Sequence, residues 1–293
     1  MIHKHLGHIP GEIMVVDFDG MGPTWTKIVE RGLEAYPNAT HGILSDADFT
    51  PTTKRLDKME LDVRCSKHMF SIRSKEHTVR RMDWIYRNIP GARVERRTHQ
   101  ALRVPELPGG HPYQTLIDLE VNEYTGGYQD RNANKSGRYI DWLLKDLEEM
   151  PGDERSIYYI GYAHLELWEQ RPDFNNADSV YHLHTSMDYF QQRAGMRTGY
   201  YEERWFAMLK TAELCERYLA DYECSTRMWK LAQMLDPDRV DTFFYLAQHY
   251  NLAGDPDSAL REIKGAMELP KPARSLFMWE EMYGCLRCTA LPS

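Results

Sequence analysis

Two aspartates one residue apart, Asp46 and Asp48, close a short apolar run in HGILSDADFTPTT (41–53). In an extended strand residues i and i+2 project to the same side, so this spacing presents two carboxylates together. Paired carboxylates suit a hard divalent cation, which keeps several waters and takes its remaining oxygens from substrate phosphates. Such an ion neutralises the charge that builds on a departing diphosphate. The same residues also suit a cap for a turn or helix opening at Thr50-Pro51. A basic segment follows: between Lys54 and Arg103 there are 14 Lys and Arg against 6 Asp and Glu. That local balance of +8 sits in a chain of net charge −8, so the remainder carries −16. A basic segment attracts a small anion such as a diphosphate, whereas the acidic whole is a poor nucleic-acid binder.

Other chemistry-bearing sets are thinner. His3, His5 and His8 crowd the N-terminus, where adventitious metal binding is the most they support. His182 and His184 lie two apart in a helical pattern and point in different directions. The five cysteines, Cys65, Cys215, Cys224, Cys285 and Cys288, are an odd and scattered set, which argues against a disulfide framework. Cys285 and Cys288 form a lone C-x-x-C, half the ligands that a structural zinc needs.

The elements that must position these residues fall into two halves. GEIMVVDFD (11–19) reads as a strand, TWTKIVERGLEAY (24–36) as a helix between Pro23 and Pro37, and THGILSDAD (40–48) as a second strand. Strand, helix, strand is the rhythm of a parallel sheet, whose ligands bind at the carboxyl ends of the strands. HMFSIR, GARVERR and TLIDLEV continue the strand-like runs, and YTGGYQDRNANKSG (124–137) is the natural joint.

Beyond it the periodicity is helical almost throughout. GRYIDWLLKDLEEM places Ile140, Leu143, Leu144 and Leu147 at i, i+3, i+4 and i+7, and four later segments repeat that spacing. Breaks at Pro151-Gly152-Asp153, Pro172-Asp173, Asp236-Pro237-Asp238 and Gly254-Asp255-Pro256 make these antiparallel helix pairs. With Phe243 at position 4 of a tetratricopeptide unit, Ala247, Ala259 and Ala266 take the small-residue positions, while Leu246, Tyr250 and Ile263 fill between them. Tyr158 to Met187 fits more loosely, with Gly161 and Ala177 at small positions.

A chain of 293 residues with 42% hydrophobic and 27% charged residues can bury one large core or two ordinary ones. No stretch approaches the ~18 to 20 apolar residues of a membrane span, and MIHKHLGHIPGE lacks the apolar core of a secretory signal. The expected address is cytoplasmic.

A strand ending in D-x-D and followed by a basic segment resembles the donor site of GT-A-fold glycosyltransferases of the family 2-like kind. RRMDWIYRN (80–88), GARVERRTHQAL (91–102), NKSGRYIDWLLKDLEEMPGDERSIYYIGYAHLE (134–166) and GYYEERWFAMLKTAE (199–213) resemble later elements of members that carry tetratricopeptide-like helices. The resemblance runs over roughly residues 9–270. It implies an α/β plus all-α chain: a partial GT-A, Rossmann-like sheet domain over 1–125, then a tetratricopeptide-like antiparallel helical array over 126–293.

It further implies metal-dependent transfer of a sugar from a nucleotide-sugar to a glycan, protein or lipid acceptor. Asp46 and Asp48 match the metal and diphosphate motif, and His99 matches the histidine of a His-Glu pair, placed to reach the metal or the reacting centre. An imidazole among oxygen ligands leans toward Mn2+ over Mg2+. Arg80, Arg81, Arg96 and Arg97 match positions suited to the diphosphate. Trp84 and Tyr86 suit either a sugar platform or the core. Gln100 stands where the family shows a glutamate, and an amide cannot act as general base, which leaves that role to His99, Glu95 or another residue. About 40 residues precede the D-x-D, so part of the nucleotide-binding half is expected to be missing. The contrasting expectation is a catalytically inactive helical scaffold that binds a protein partner on its array.

Overall fold

The computed structural model describes residues 11–45, 49–51, 60–73, 79–123, 135–270 and 280–283. Asp46, Asp48, His3, His5, His8, Cys285, Cys288 and the joint over 124–134 lie outside the described residues. The chain divides into two compact units, residues 1–132 and 133–293.

In the first unit α1 (Met21–Ala35) is followed by β1 (His41–Ile43), β2 (Phe49–Pro51), β3 (Cys65–Arg73), β4 (Val79–Arg87), β5 (Arg93–Glu95), β6 (Ala101–Arg103) and β7 (His111–Glu123). Five strands form one sheet in the order β1-β4-β3-β7-β2, and β5 and β6 form a separate hairpin. Here the structure corrects the expected topology. Residues 11–19 form no strand, and Val15 is 92% exposed. A β-branched run is only a local signal, and a strand exists only where a partner accepts its hydrogen bonds.

The second expected strand shortens to β1, which pairs antiparallel with β4, His41 opposite Arg87. The β–α–β crossover over 11–48 is therefore not formed. Among the described residues only β3 and β7 run parallel, and the other three pairings of the sheet are antiparallel. The helix begins earlier than its proline suggested. Pro23 lies inside the first turn of α1, where the backbone donor that proline lacks has no intrahelical partner in any case. α1 turns Trp25 and Val29 onto a core of Leu44, Phe70, Trp84, Ile85, Tyr86, Val94 and Leu102. Trp84 meets Trp25 edge to face at 4.9 Å, so Trp84 and Tyr86 serve that core.

The second unit contains α2 (Lys135–Glu149), α3 (Glu154–Gln170), α4 (Ala177–Gly195), α5 (Tyr201–Leu219), α6 (Tyr222–Leu235), α7 (Val240–Leu252), α8 (Pro256–Glu268) and a short 3-10 turn, Glu280–Tyr283. Each helix packs on the next in sequence, and α3 also touches α5, as alternate helices of a stacked array do. Side chains at the helix starts act as caps, two of them from the breaks: Asp153 accepts from the Ser156 amide and Asp255 from Ser258, while Asn176 accepts from Asp178 and Ser179 and Asp221 from Cys224.

The template positions behave as tetratricopeptide-like packing requires. Leu246, Ala247, Ala259, Ile263 and Ala266 are buried, and the close approach at Gly161 lets the Phe190 ring lie against α3. Ala177 is exposed at the start of α4 and makes no such approach. Leu144 is likewise 40% exposed while Asp146 of the same helix is buried, so the inward stripe of α2 is narrower than its spacing implied. Among the described residues no helix is long and apolar enough to cross a membrane.

Candidate functional site

In the first unit four of the predicted residues, Glu95, Arg96, Arg97 and His99, gather at the hairpin of β5 and β6, whose loop runs from Arg96 to Gln100. The hairpin pairs Arg93 with Arg103, Val94 with Leu102 and Glu95 with Ala101. The loop turns through left-handed backbone at Arg96 (φ 72°) and His99 (φ 48°), uncommon for residues other than glycine. The start of α1 grips it: the Met21 amide donates to the Arg97 carbonyl at 2.8 Å and the Gly22 amide to the Arg96 carbonyl at 2.9 Å. Thr26 Oγ1 donates to the Val94 carbonyl and accepts from the Val94 amide, both at 2.9 Å. The helix can come this close only without side chains at two places. A Cβ on Gly20 would lie 2.4 Å from that of Arg97, and one on Gly22 would lie 2.3 Å from the Arg96 carbonyl oxygen.

The charges around this loop are committed to one another. Arg97 is buried and pairs with Asp19, Nη2 to Oδ2 at 3.1 Å. Glu95 takes Arg93 Nη2 at 2.7 Å and Arg103 Nε at 2.9 Å, with Arg96 Nη1 at 3.9 Å. Burial pushes the Glu95 carboxyl up, but the Arg103 hydrogen bond and the charges of Arg103, Arg93 and Arg96 outweigh it and hold the group below the usual carboxylate range. A carboxylate held charged in this way is a weak proton acceptor. Arg96 is buried as well, and His99 is half-buried.

Arg80 and Arg81 lie on β4, where their backbones pair with Ile72 and Ser71 of β3. Glu95, Arg96, Arg97 and His99 are thus together, Arg80 and Arg81 are placed by backbone alone, and Asp46 and Asp48 lie outside the described residues. Asp19, Gly20 and Gly22 join the site without having been expected there. Their signal, D-G-M-G across the start of a helix, is too short to stand out from an ordinary turn.

The second unit presents different chemistry. Half-exposed Tyr159 and Tyr162 of α3 flank Tyr158, and the Tyr162 ring lies 6.4 Å from Phe206 of α5. Arg155 lies over Tyr159 at 5.1 Å and Lys210 over Phe206 at 5.6 Å. Lys210 also donates to Glu213 Oε2 at 2.9 Å. Tyr245 of α7 stacks on Trp229 at 4.9 Å.

A carboxylate–imidazole–hydroxyl chain joins α5, α7 and α6: Glu216 Oε2 is 2.5 Å from His249 Nδ1, and Thr226 Oγ1 is 2.7 Å from Nε2. The Thr226 hydroxyl sits mid-helix and donates to the Tyr222 carbonyl at 2.7 Å, so the chain pins helices rather than arming a nucleophile. Cys215 and Cys224 form a disulfide across the α5–α6 corner, with Cα atoms 6.0 Å apart, a pairing their scattered spacing did not announce.

These features define a chain of two parts: a small, mostly antiparallel mixed sheet packed against one helix, and a tetratricopeptide-like antiparallel helical array. No family model and no curated protein matches the chain. Among solved structures, a crystal structure of MamA protein is similar at 13% identity and a TM-score of 0.35, covering 48% of this chain and 68% of that one. A second crystal structure of MamA gives 15% identity and a TM-score of 0.28, covering 50% of this chain and 95% of that one.

Proposed function

We propose that the chain works as a scaffold whose helical array binds a segment of a protein partner. The observation that carries this reading is a pair of cations over aromatic rings on the alternate helices α3 and α5, with partly buried Tyr159 and Tyr162 between them at the surface of the core that holds Phe206. Tyr159 and Tyr162 offer apolar area, and Arg155 and Lys210 charge, on a rigid surface at little entropic cost. A peptide array probed with the full chain tests it. The expected result is a family of related peptides whose binding is lost in Tyr162→Ala and weakened in Lys210→Ala. Binding that neither substitution changes would remove this face as the site.

A second reading, glycosyl transfer from a nucleotide-sugar, has one feature in its favour. Left-handed backbone at Arg96 and His99 is a form of strain that concentrates at functional sites, and here it gathers Glu95, Arg97 and His99. Of the three expected metal ligands only His99 is described. Among the described residues no group of three or more His, Cys, Asp and Glu is arranged to hold an ion. The described residues therefore do not make up the metal site this reading requires, and no step is derived through one. Thermal melting with Mn2+ and a panel of nucleotide-sugars decides: a donor-dependent rise lost in Asp46→Ala and Asp48→Ala supports transfer, and no shift with any donor retires it.

A further inference from the structure

The sheet unit holds two histidines that neither reading uses, and the edge strand β1 closes over them. β1 has three residues and, among the described residues, pairs with β4 alone. The ring of His41 on β1 meets the ring of His68 on β3 edge to face at 4.9 Å, reaching across β4, the strand between them. His68 is fully buried, and neither of its ring nitrogens makes a hydrogen bond of good geometry. His41 sets Nδ1 3.0 Å from the Thr40 hydroxyl and leaves Nε2 buried without a partner. Buried polar atoms are nearly always paired, so three unpaired imidazole nitrogens in one contact need a reason.

The surroundings suit neutral rings and oppose charged ones. Arg87 of β4 lies opposite His41 in the register and donates through Nη1 to the Thr40 carbonyl at 2.6 Å. Its charge acts on both histidines. Asp62, just before β3, is the carboxylate that acts on His68, and it is already taken by Arg64, which donates from Nε at 3.1 Å and from Nη2 at 2.8 Å. From β7, His111 acts on Asp62 and the neutral Gln114 accepts from the Asp62 amide at 3.2 Å. Protonating both rings sets three cations, on three adjacent strands, against one carboxylate that has a partner. Burial, then the charges of His68 and Arg87, pushes His41 down to about 4, and burial pushes His68 down against the pull of Asp62 and Gln114.

An edge strand is where such repulsion is relieved without unfolding the whole sheet. Release of β1 breaks its ladder with Ile85–Arg87, the bond from the Leu44 amide to the Trp84 carbonyl at 3.0 Å and that from the Asn88 amide to the Thr40 carbonyl at 3.1 Å. The ladder of β3 with β7 is untouched. In return, water reaches both rings. The His41 ring takes up its proton at about 4 when closed and at the ordinary value of about 6.5 when open, so the open form binds the extra proton. Opening therefore grows as pH falls from about 6.5 toward about 4. Between about pH 8 and about pH 5 this one ring raises the opening equilibrium roughly 30-fold, and His68 adds to it.

We propose that His41 and His68 make β1 an acid-released latch: neutral rings let the strand close on β4, and their protonation frees it and bares the backbone edge of β4. The proposal is independent of both functional readings. It is tested by amide hydrogen exchange on the full chain between about pH 8 and about pH 5, with protection corrected for the intrinsic pH dependence of exchange. The expected result is that protection of the Leu44 and Asn88 amides falls by roughly 30-fold or more, while the amides of the β3–β7 ladder keep theirs. His41→Gln cuts that fall by roughly tenfold or more. Protection of Leu44 and Asn88 that does not change with pH overturns the latch. An equal loss along β3 and β7 also overturns it, because the sheet unit then unfolds as a whole. So does a folded His41→Gln variant that keeps the full fall. Circular dichroism shows whether that variant folds. If it does not, the ring titrations of the unaltered chain by nuclear magnetic resonance decide: a His41 ring that titrates near the ordinary value of about 6.5 overturns the latch, and one that titrates well below it supports the latch.

Discussion

Arg239 precedes the first residue of α7, buried inside the helical unit, and offers the sharpest test of what holds that unit together. It is 2% exposed, donates through Nε to Asp241 Oδ2 at 3.0 Å, and lies 3.9 Å from the centre of the Trp205 ring. Its Nη1 is 3.7 Å from Glu202 Oε2. Asp241 is fully buried, its Oδ1 has no hydrogen-bond partner, and Tyr283 OH reaches Oδ2 only at 3.3 Å. Arg239→Met keeps the apolar stem and removes the charge, which strands Asp241 and weakens the setting of Glu202. Removing one partner of a buried pair costs about 3–5 kcal/mol. The guanidinium–indole contact, about 2 kcal/mol when desolvated, is lost with the same atoms and is not added to that figure.

The expected result is a fall of about 4 kcal/mol, with an unchanged m-value, in urea unfolding of the full chain followed by helical circular dichroism. The partner variant sharpens the test. Asp241→Asn in the Arg239→Met background removes the stranded charge and should recover at least about 1.5 kcal/mol, a coupling expected only of groups in contact. A loss below about 1 kcal/mol for Arg239→Met, or strict additivity in the double variant, would refute the reasoning.

Three further outcomes are expected. Gly22→Ala forces α1 off the Arg96 carbonyl and breaks both amide contacts, so the sheet unit should lose about 2–4 kcal/mol, read from limited proteolysis of the first 132 residues. For His164 the folded pKa of about 4 lies below the unfolded value of about 6.5, so the unfolded chain binds the extra proton between them. Stability should therefore fall as pH drops from about 6.5 to about 4, by up to about 3 kcal/mol, and His164→Gln should flatten that slope. Cys215→Ser, or reduction by a dithiol, opens a disulfide that joins residues 9 apart and should cost about 2.5 kcal/mol of unfolding free energy by loop-closure entropy.

What was legible in the chain followed from how local the interaction is. Asp153 and Asp255 cap helices because an aspartate three residues before a serine amide meets that amide wherever the chain turns helical. The template over Phe243 to Ala266 was readable because helix-to-helix packing within one pair is set by residues close in sequence. The sheet was not readable in this way. The run 11–19 looks like a strand yet forms none, while β3 finds β7 more than 40 residues later and runs parallel to it. The loop residues Glu95 to His99 stood out by type, but Glu95 meets Arg103 across the hairpin and Arg97 meets Asp19, 78 residues away, pairings that no spacing rule foretells.

The sequence by itself determined the helices, their caps and the close-packed pair at the end of the array, since each rests on contacts within about two dozen residues. Tertiary structure decided the rest. It set the order of the strands, buried Arg239 against Asp241 and Glu202, and brought His164 to His182 across two helices. Those choices depend on which distant surfaces come together, and the free energy of joining them is not stored in any one stretch of chain.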